Sequence, residues 1–179
     1  MNKMLSDYDT IIMMAHRIFK KKSHDYGVNW RVYRPISVLD QLYIKAKRIR
    51  TITERGTQKI NGVGDDIPNE FIGIVNYGAM GIIQFTKGAV TSIDIEIDEA
   101  INLYEKSLYF AQKDMQCNID NSISMLEIMN PESLNDLILQ NILILKRMNE
   151  NRQLGDVAVK KLIEIINYAI FASIILKSK

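Results

Sequence analysis

Apolar residues recur at helical spacing over most of the chain. Tyr8, Ile11, Ile12, Ala15, Ile18 and Phe19 follow the i, i+3, i+4, i+7 rhythm of an amphipathic helix. Ser6, three residues before Asp9, reads as its N-cap in a weak capping box. Leu39, Leu42, Ala46 and Ile49 mark a second helix, entered through Pro35 and a Ser37 cap with Asp40 three residues later, and stopped at Gly56. A loop with Gly62 and Gly64 covers 57–66, and Asp66 and Pro68 open a third helix that Gly88 ends. Helices near 98–116, 131–150 and 157–177 repeat the plan. The third helix of each half is apolar nearly all round, through Phe71, Ile72, Ile74, Val75, Ile82 and Ile83 and again through Leu162, Ile163, Ile165, Ile166 and Ile170. Helices of that kind are buried. Gly73, Gly78 and Gly81 each cost roughly 1 kcal/mol against Ala inside a helix, which implies close approach of another helix or a ligand. The two central helices are expected to cross at Gly78 and Gly81. The joining segment 93–98 alternates Ile with Asp or Glu, as a short extended stretch without a partner strand.

Two halves of this pattern match. Tyr8 and Tyr104, Pro35 and Pro131, Ser37 and Ser133, Asp40 and Asp136, and Arg50 and Lys146 all lie 96 positions apart. Asn76-Tyr77 recurs as Asn167-Tyr168 at a separation of 91, so the intervening loop is five residues shorter in the second copy. Repeats are read before other features because they set the architecture. The expectation is an all-α helical bundle of two tandem three-helix copies, 1–92 and 93–179, related by a pseudo-twofold axis and sharing one core around the apolar central helices. The second copy has shed its polar residues. His24-Asp25-Tyr26-Gly27 becomes Asp120-Asn121-Ser122-Ile123, Trp30-Arg31 becomes Leu126-Glu127, Arg34 becomes Asn130, Lys45 becomes Asn141 and Arg48 becomes Ile144. A cation replaced by an apolar residue has been released from a charged task, so a site is expected in the first copy, with the second mainly structural.

Composition narrows the classes further. The chain is 47% hydrophobic and 25% charged, with net charge +2, as globular proteins are, and gives no global argument for nucleic acid or membrane. Positive charge is local: residues 17–55 hold eleven Lys or Arg against three Asp or Glu. The lone Cys117 excludes an internal disulfide and a cysteine-rich zinc site. The N-terminal residues lack a signal-peptide pattern, and the longest apolar run, 165–176, is too short to span a bilayer. A cytoplasmic protein is expected.

The densest chemistry is Lys22-Ser23-His24-Asp25-Tyr26-Gly27 followed by Trp30, Arg31 and Arg34. Cations suit a phosphate, and Tyr26 and Trp30 offer faces for a base. A lysine-rich helix C-terminus with Gly27 as its stop would explain Lys22 equally well. It would not explain why the aromatic and guanidinium groups vanish together from the second copy. On the second helix Gln41, Lys45 and Arg48 form a polar stripe at i, i+4 and i+7, whose counterparts are Leu137, Asn141 and Ile144. The stripe is expected to line a polar cleft, with a plain solvated face as the alternative that the stripe alone leaves open. Asp65, Asp66 and Glu70 sit where the third helix begins, as caps or dipole partners. Together with Asp25 or Asp40, Glu70 makes a candidate Mg²⁺ set, since a hard ion wants oxygen ligands; the alternative is that Asp40 caps its helix, Glu70 pairs with Lys45 or Arg48, and no ion binds. Asn76 and Asn167, in apolar helices, must be hydrogen-bonded, to a loop or to each other.

Lys22-x-x-Asp25-Tyr26-Gly27, Trp30-Arg31, Ser37-x-x-Asp40-x-x-x-x-Lys45-x-x-Arg48 and Glu70-Phe71-x-Gly73-Ile74-x-Asn76-Tyr77 resemble the nucleotide modification associated domain family, first catalogued as a domain of unknown function. The resemblance is to the bacterial branch in which the domain occurs twice. The second copy keeps only Ser133-x-x-Asp136 and Asn167-Tyr168. The resemblance implies an all-helical fold and a part in making or handling modified nucleotides. The helical nucleoside triphosphate pyrophosphatases hold Mg²⁺ on paired Glu-x-x-Glu and Glu-x-x-Asp helices. This chain departs from them, because its one Glu-x-x-Glu, Glu96 and Glu99, lies in the joining segment.

Two functions follow. In one, a basic cleft in the first copy binds a nucleotide or other phosphate-bearing small molecule through Lys22, Asp25, Tyr26, Trp30, Arg31, Arg34, Lys45 and Arg48, with Mg²⁺ on Asp25, Asp40 and Glu70. In the other, the chain is a non-catalytic helical interaction or nucleic-acid-binding module. A homo-oligomer is compatible with both, and whether the protein is an enzyme stays open.

Overall fold

The computed structural model describes residues 2–55, 66–150 and 155–178, and these contain helices and no strand. Seven α-helices are found there: α1 (Asn2–Tyr26), α2 (Pro35–Arg55), α3 (Ile67–Lys87), α4 (Ile97–Cys117), α5 (Ile119–Ile128), α6 (Pro131–Glu150) and α7 (Asp156–Lys177). A 3-10 turn, Asn29–Val32, joins α1 to α2. The expected boundaries of the long helices hold to within a few residues. The caps are less well anticipated. α1 starts before Ser6, whose carbonyl accepts from the Thr10 hydroxyl at 2.8 Å as an internal residue. Ser37 lies in the first turn of α2, where its N–H donates to the Arg34 carbonyl at 2.8 Å. Asp66 does cap α3, accepting from the Asn69 N–H at 3.1 Å. Gly27 and Gly88 end their helices with φ of 71° and 80°, a conformation that costs glycine least. Gly56, Gly62, Gly64 and Asp65 lie outside the described residues.

The sixth-residue rhythm did not betray α5, which follows α4 after a single residue. Its corner is closed by Ser122, whose hydroxyl donates to the Met115 carbonyl at 3.3 Å, and Ser122 is its one buried residue. A helix with so little buried surface carries a weak apolar signal.

α3 and α7 form the centre. A Cβ on Gly78 would lie 2.6 Å from Cγ1 of Ile166, and one on Gly81 would lie 3.1 Å from Cδ2 of Leu162. The glycines therefore let the two helices touch, and the pairing of ascending with descending numbers makes them antiparallel. α2 packs on α3 and α6 on α7, α2 and α6 meet, and α1 and α4 each cover both central helices. One core runs through all of them, including the fully buried Tyr8, Leu39, Leu42, Phe71, Ile74, Tyr104, Leu134, Ile138, Leu162 and Ile165.

Polar bonds cross between the halves in reciprocal pairs. The Tyr8 hydroxyl donates to Oδ1 of Asn167 at 2.6 Å, and the Tyr104 hydroxyl donates to Oδ1 of Asn76. Lys146 Nζ lies 2.6 Å from Asp40 Oδ1, and the Arg50 guanidinium pairs with Asp136. Asn76 and Asn167 thus bond to tyrosines of the opposite half rather than to each other. Such exchange is what a twofold relation between the halves would produce. No helix among the described residues is long and apolar enough to cross a membrane.

Candidate functional site

A cavity of about 570 Å³ opens between the end of α1, the 3-10 turn and the first half of α3. Its volume lies within the roughly 300–1,000 Å³ typical of small-molecule sites. The positive φ of Gly27 turns the chain off α1 and sets the Trp30 turn across the end of the helix. Tyr26, Trp30, Tyr33 and Tyr77 contribute rings to the wall, and Phe19 lies beneath them. Tyr26 is 72% exposed and stands at the rim, whereas Trp30 packs on Phe19 with ring centroids 6.1 Å apart. Phe19 in turn stacks on Tyr104 at 3.9 Å. Burial raises the Tyr77 phenol above its ordinary pKa, with the nearby Tyr33 adding to the effect.

Two cations reach the cavity, Lys22 from α1 and Lys45 from α2. Lys45 gets there across Gly73: a Cβ at that position would stand 2.6 Å from Lys45 Cε. The helical cost of Gly73 therefore makes room for an ammonium group and its stem. Lys45 Nζ is 3.0 Å from Glu70 Oε2 and 5.8 Å from the centre of the Tyr77 ring. Arg48 Nη1 takes the other Glu70 oxygen at 3.2 Å, from outside the cavity lining. Glu70 is only 13% exposed and is held between two cations.

Three asparagines complete the wall: Asn29, Asn69 and Asn76. Asn29 donates to the Tyr26 carbonyl at 2.9 Å. Asn76 is 6% exposed, and its oxygen is taken by Tyr104 while its amide nitrogen has no partner among the described residues. The indole N–H of Trp30 is enclosed and also lacks an acceptor there. Buried donors without acceptors are uncommon and call for an explanation.

Among the expected binding residues, Lys22, Tyr26, Trp30 and Lys45 line the cavity. Arg31 does not, and its expected phosphate role is corrected. It is 1% exposed, and its guanidinium donates to Gln84 Oε1 and the Gly88 carbonyl, both at 2.6 Å. It also pairs with Asp94 at 2.9 and 3.1 Å. Gln84 Nε2 returns a bond to the Arg31 carbonyl at 2.9 Å. Arg31 thus ties the 3-10 turn to the end of α3 and to the joining segment. Asp25 and Arg34 are exposed and lie off the lining, as does Arg48.

The carboxylates expected to hold Mg²⁺ are engaged separately. Asp40 pairs with Lys146 and Glu70 with Lys45 and Arg48, whereas Asp25 is exposed at the end of α1. No group of three potential metal ligands forms among the described residues. The set does not fit a divalent ion, because cations already occupy the oxygens of two of its members. The residues that the sequence did not nominate are Tyr33, Asn69, Asn76 and Tyr77; a polar Asn beside Gly73 in an apolar helix was the available signal.

In the other half, Asn141 donates to Glu164 Oε2 at 3.0 Å, and Lys161 reaches the same oxygen at 2.8 Å. Glu164 lies 91 positions after Gly73, so where Lys45 crosses a glycine, Asn141 meets a carboxylate. Asn167 Nδ2, unlike that of Asn76, is satisfied by the Ala111 carbonyl at 3.2 Å and Asp114 at 3.1 Å.

Residues 22–85 match the sequence model of a family described as nucleotide modification associated domain 1. The match spans every residue of the cavity lining except Ile18 and Phe19. No curated protein and no solved structure matches the chain.

Proposed function

With residues 22–85 matched to a nucleotide modification associated domain, we propose that the cavity binds a free nucleotide and that the protein acts in modified-nucleotide or nucleoside phosphate metabolism. The observation that carries this reading is the meeting of two lysines, five aromatic residues and three asparagines around about 570 Å³. Ammonium groups suit phosphate oxygens, rings suit the faces of a base, and amides suit its edge. The charge count favours a monophosphate. Lys45 and Arg48 share the single negative charge of Glu70, leaving one net positive charge, and Lys22 supplies a second. A phosphate monoester carries about −1.5 to −2 at neutral pH, which two positive charges balance. The halves 1–92 and 93–179 are read as tandem copies, the second having closed its cavity and kept a scaffolding role.

Thermal denaturation with a panel of nucleoside mono-, di- and triphosphates, with and without Mg²⁺, tests the reading. Stabilisation by monophosphates, lost in Lys45→Ala, is expected. Salt-sensitive binding of long DNA or RNA with no mononucleotide effect would overturn it in favour of a nucleic-acid-binding module.

A further inference from the structure

We infer that Asn76 reads the base, and that the site selects bases presenting a ring carbonyl over those presenting an exocyclic amine. The inference rests on the cavity being a nucleotide site. Asn76 is more than nine-tenths buried, on the part of α3 that walls the cavity. Its Oδ1 accepts from Tyr104, whose phenol burial holds well above the ordinary pKa and therefore protonated as a donor. The sense of this bond is supported by its counterpart. Asn167 gives its nitrogen to the Ala111 carbonyl and the Asp114 carboxylate, groups that only accept, so its oxygen must face the Tyr8 hydroxyl. At Asn76 the tyrosine is retained, but the carboxylate is not: the position 96 before Asp114 is Ile18, a cavity-lining residue. Among the described residues the Asn76 NH₂ has no acceptor, and Asn76 lines the cavity.

A fixed donor complements an acceptor. A carbonyl oxygen at position 4 of a pyrimidine or position 6 of a purine accepts from it. An exocyclic amine in the same place sets donor against donor, leaving both buried groups unsatisfied.

Calorimetric titration of the full chain with two matched pairs tests this: uridine against cytidine monophosphate, and inosine against adenosine monophosphate. The wild type is expected to favour the carbonyl member of each pair by about tenfold or more. In Asn76→Asp one carboxylate oxygen still accepts from Tyr104 and the other faces the cavity as an acceptor, so the preference should reverse. Tyr104→Phe, which frees the amide to turn, should bind both members of a pair with affinities within about twofold. This variant also decides the matter if Asn76→Asp fails to fold. Equal wild-type affinities within the pairs, or unchanged preference in both variants, overturn the inference while leaving the nucleotide site standing. Absence of any binding to the wild type overturns both.

Discussion

The Tyr8 hydroxyl reaches Oδ1 of Asn167 across 2.6 Å, joining the first helix to the last through the centre of the core. Asn167 is enclosed, with its nitrogen already committed to Ala111 and Asp114. Tyr8→Phe therefore strands a buried carbonyl oxygen, at an expected cost of about 1–3 kcal/mol. Tyr104→Phe should cost less, because the Asn76 amide can turn its oxygen to the cavity. Chemical denaturation measures both; equal losses would mean that the two asparagines are equally enclosed.

Both phenols are raised by burial, with Asp114 and Asp9 adding to the effect at Tyr8. Raised folded-state values make the unfolded chain lose its phenolic protons first. Stability is therefore untouched by these groups below about pH 10 and declines above it, by roughly 1.4 kcal/mol per pH unit for each tyrosine. Denaturation midpoints between pH 8 and 11 should show the decline, with Tyr77 and Tyr168 adding to it, and the slope should be reduced when either buried tyrosine is replaced by Phe.

Gly73 and Gly78 give opposite results under one substitution. Gly78→Ala drives a methyl group to 2.6 Å from Ile166 at the packed crossing of α3 and α7, and should destabilise by about 1–3 kcal/mol. Gly73→Ala meets only the flexible end of Lys45 and gains helix propensity, so stability should hold or rise by up to about 1 kcal/mol. Displacing Lys45 should nevertheless weaken nucleotide binding. Thermal denaturation with and without nucleotide separates the two effects, and a Gly73→Ala variant with intact binding would argue against Lys45 as a phosphate contact.

Arg31→Met removes a buried guanidinium and leaves Gln84, the Gly88 carbonyl and Asp94 without their donor. Asp94 is 37% exposed and can be solvated, so the cost comes chiefly from stranding Gln84 and the Gly88 carbonyl, about 1–3 kcal/mol. A loss of that order is expected in chemical denaturation. A stable variant that had merely lost nucleotide affinity would restore the ligand role that the geometry denies to Arg31.

Lys45→Ala and Arg48→Ala should differ in binding more than in stability. Each removes one partner of Glu70 while the other remains, and half-exposed pairs contribute little, about 0–1 kcal/mol. Lys45, on the cavity wall, is expected to carry the larger loss of affinity by titration. Equal losses would place Arg48 on the ligand as well.

Periodicity made the helical class and the long helices legible, because an apolar stripe is a one-dimensional record of burial. The crossing at Gly78 and Gly81 was legible because glycine in the middle of a buried helix marks the close approach of a neighbouring group. The site was half legible. Lys22, Tyr26, Trp30 and Lys45, picked out for their chemistry, line the cavity, but chemistry does not say which side of a wall a group occupies. Arg31 is consumed by partners 53 to 63 residues further along, a separation at which sequence gives no register. Glu70 reads both as a metal ligand and as a partner of Lys45 or Arg48, and the pairing is what forms; the lysine that neutralises Asp40 comes from α6, beyond the reach of local pattern. Asn76 read as scaffold because it recurs as Asn167. The two differ in what meets the amide nitrogen: Asn167 has the Ala111 carbonyl and Asp114, whereas Asn76 has neither kind of acceptor among the described residues.

Tyr104, whose hydroxyl orients Asn76, lies beyond the stretch that matches the family. The span of the resemblance and the unit that works are therefore different lengths of chain. A fragment cut to residues 22–85 would carry nearly all of the cavity wall and lack the hydroxyl that aims its asparagine. It would also lack the Phe19–Tyr104 stack beneath Trp30. Transplanting the cavity into another protein with its walls intact means bringing the fourth helix with it.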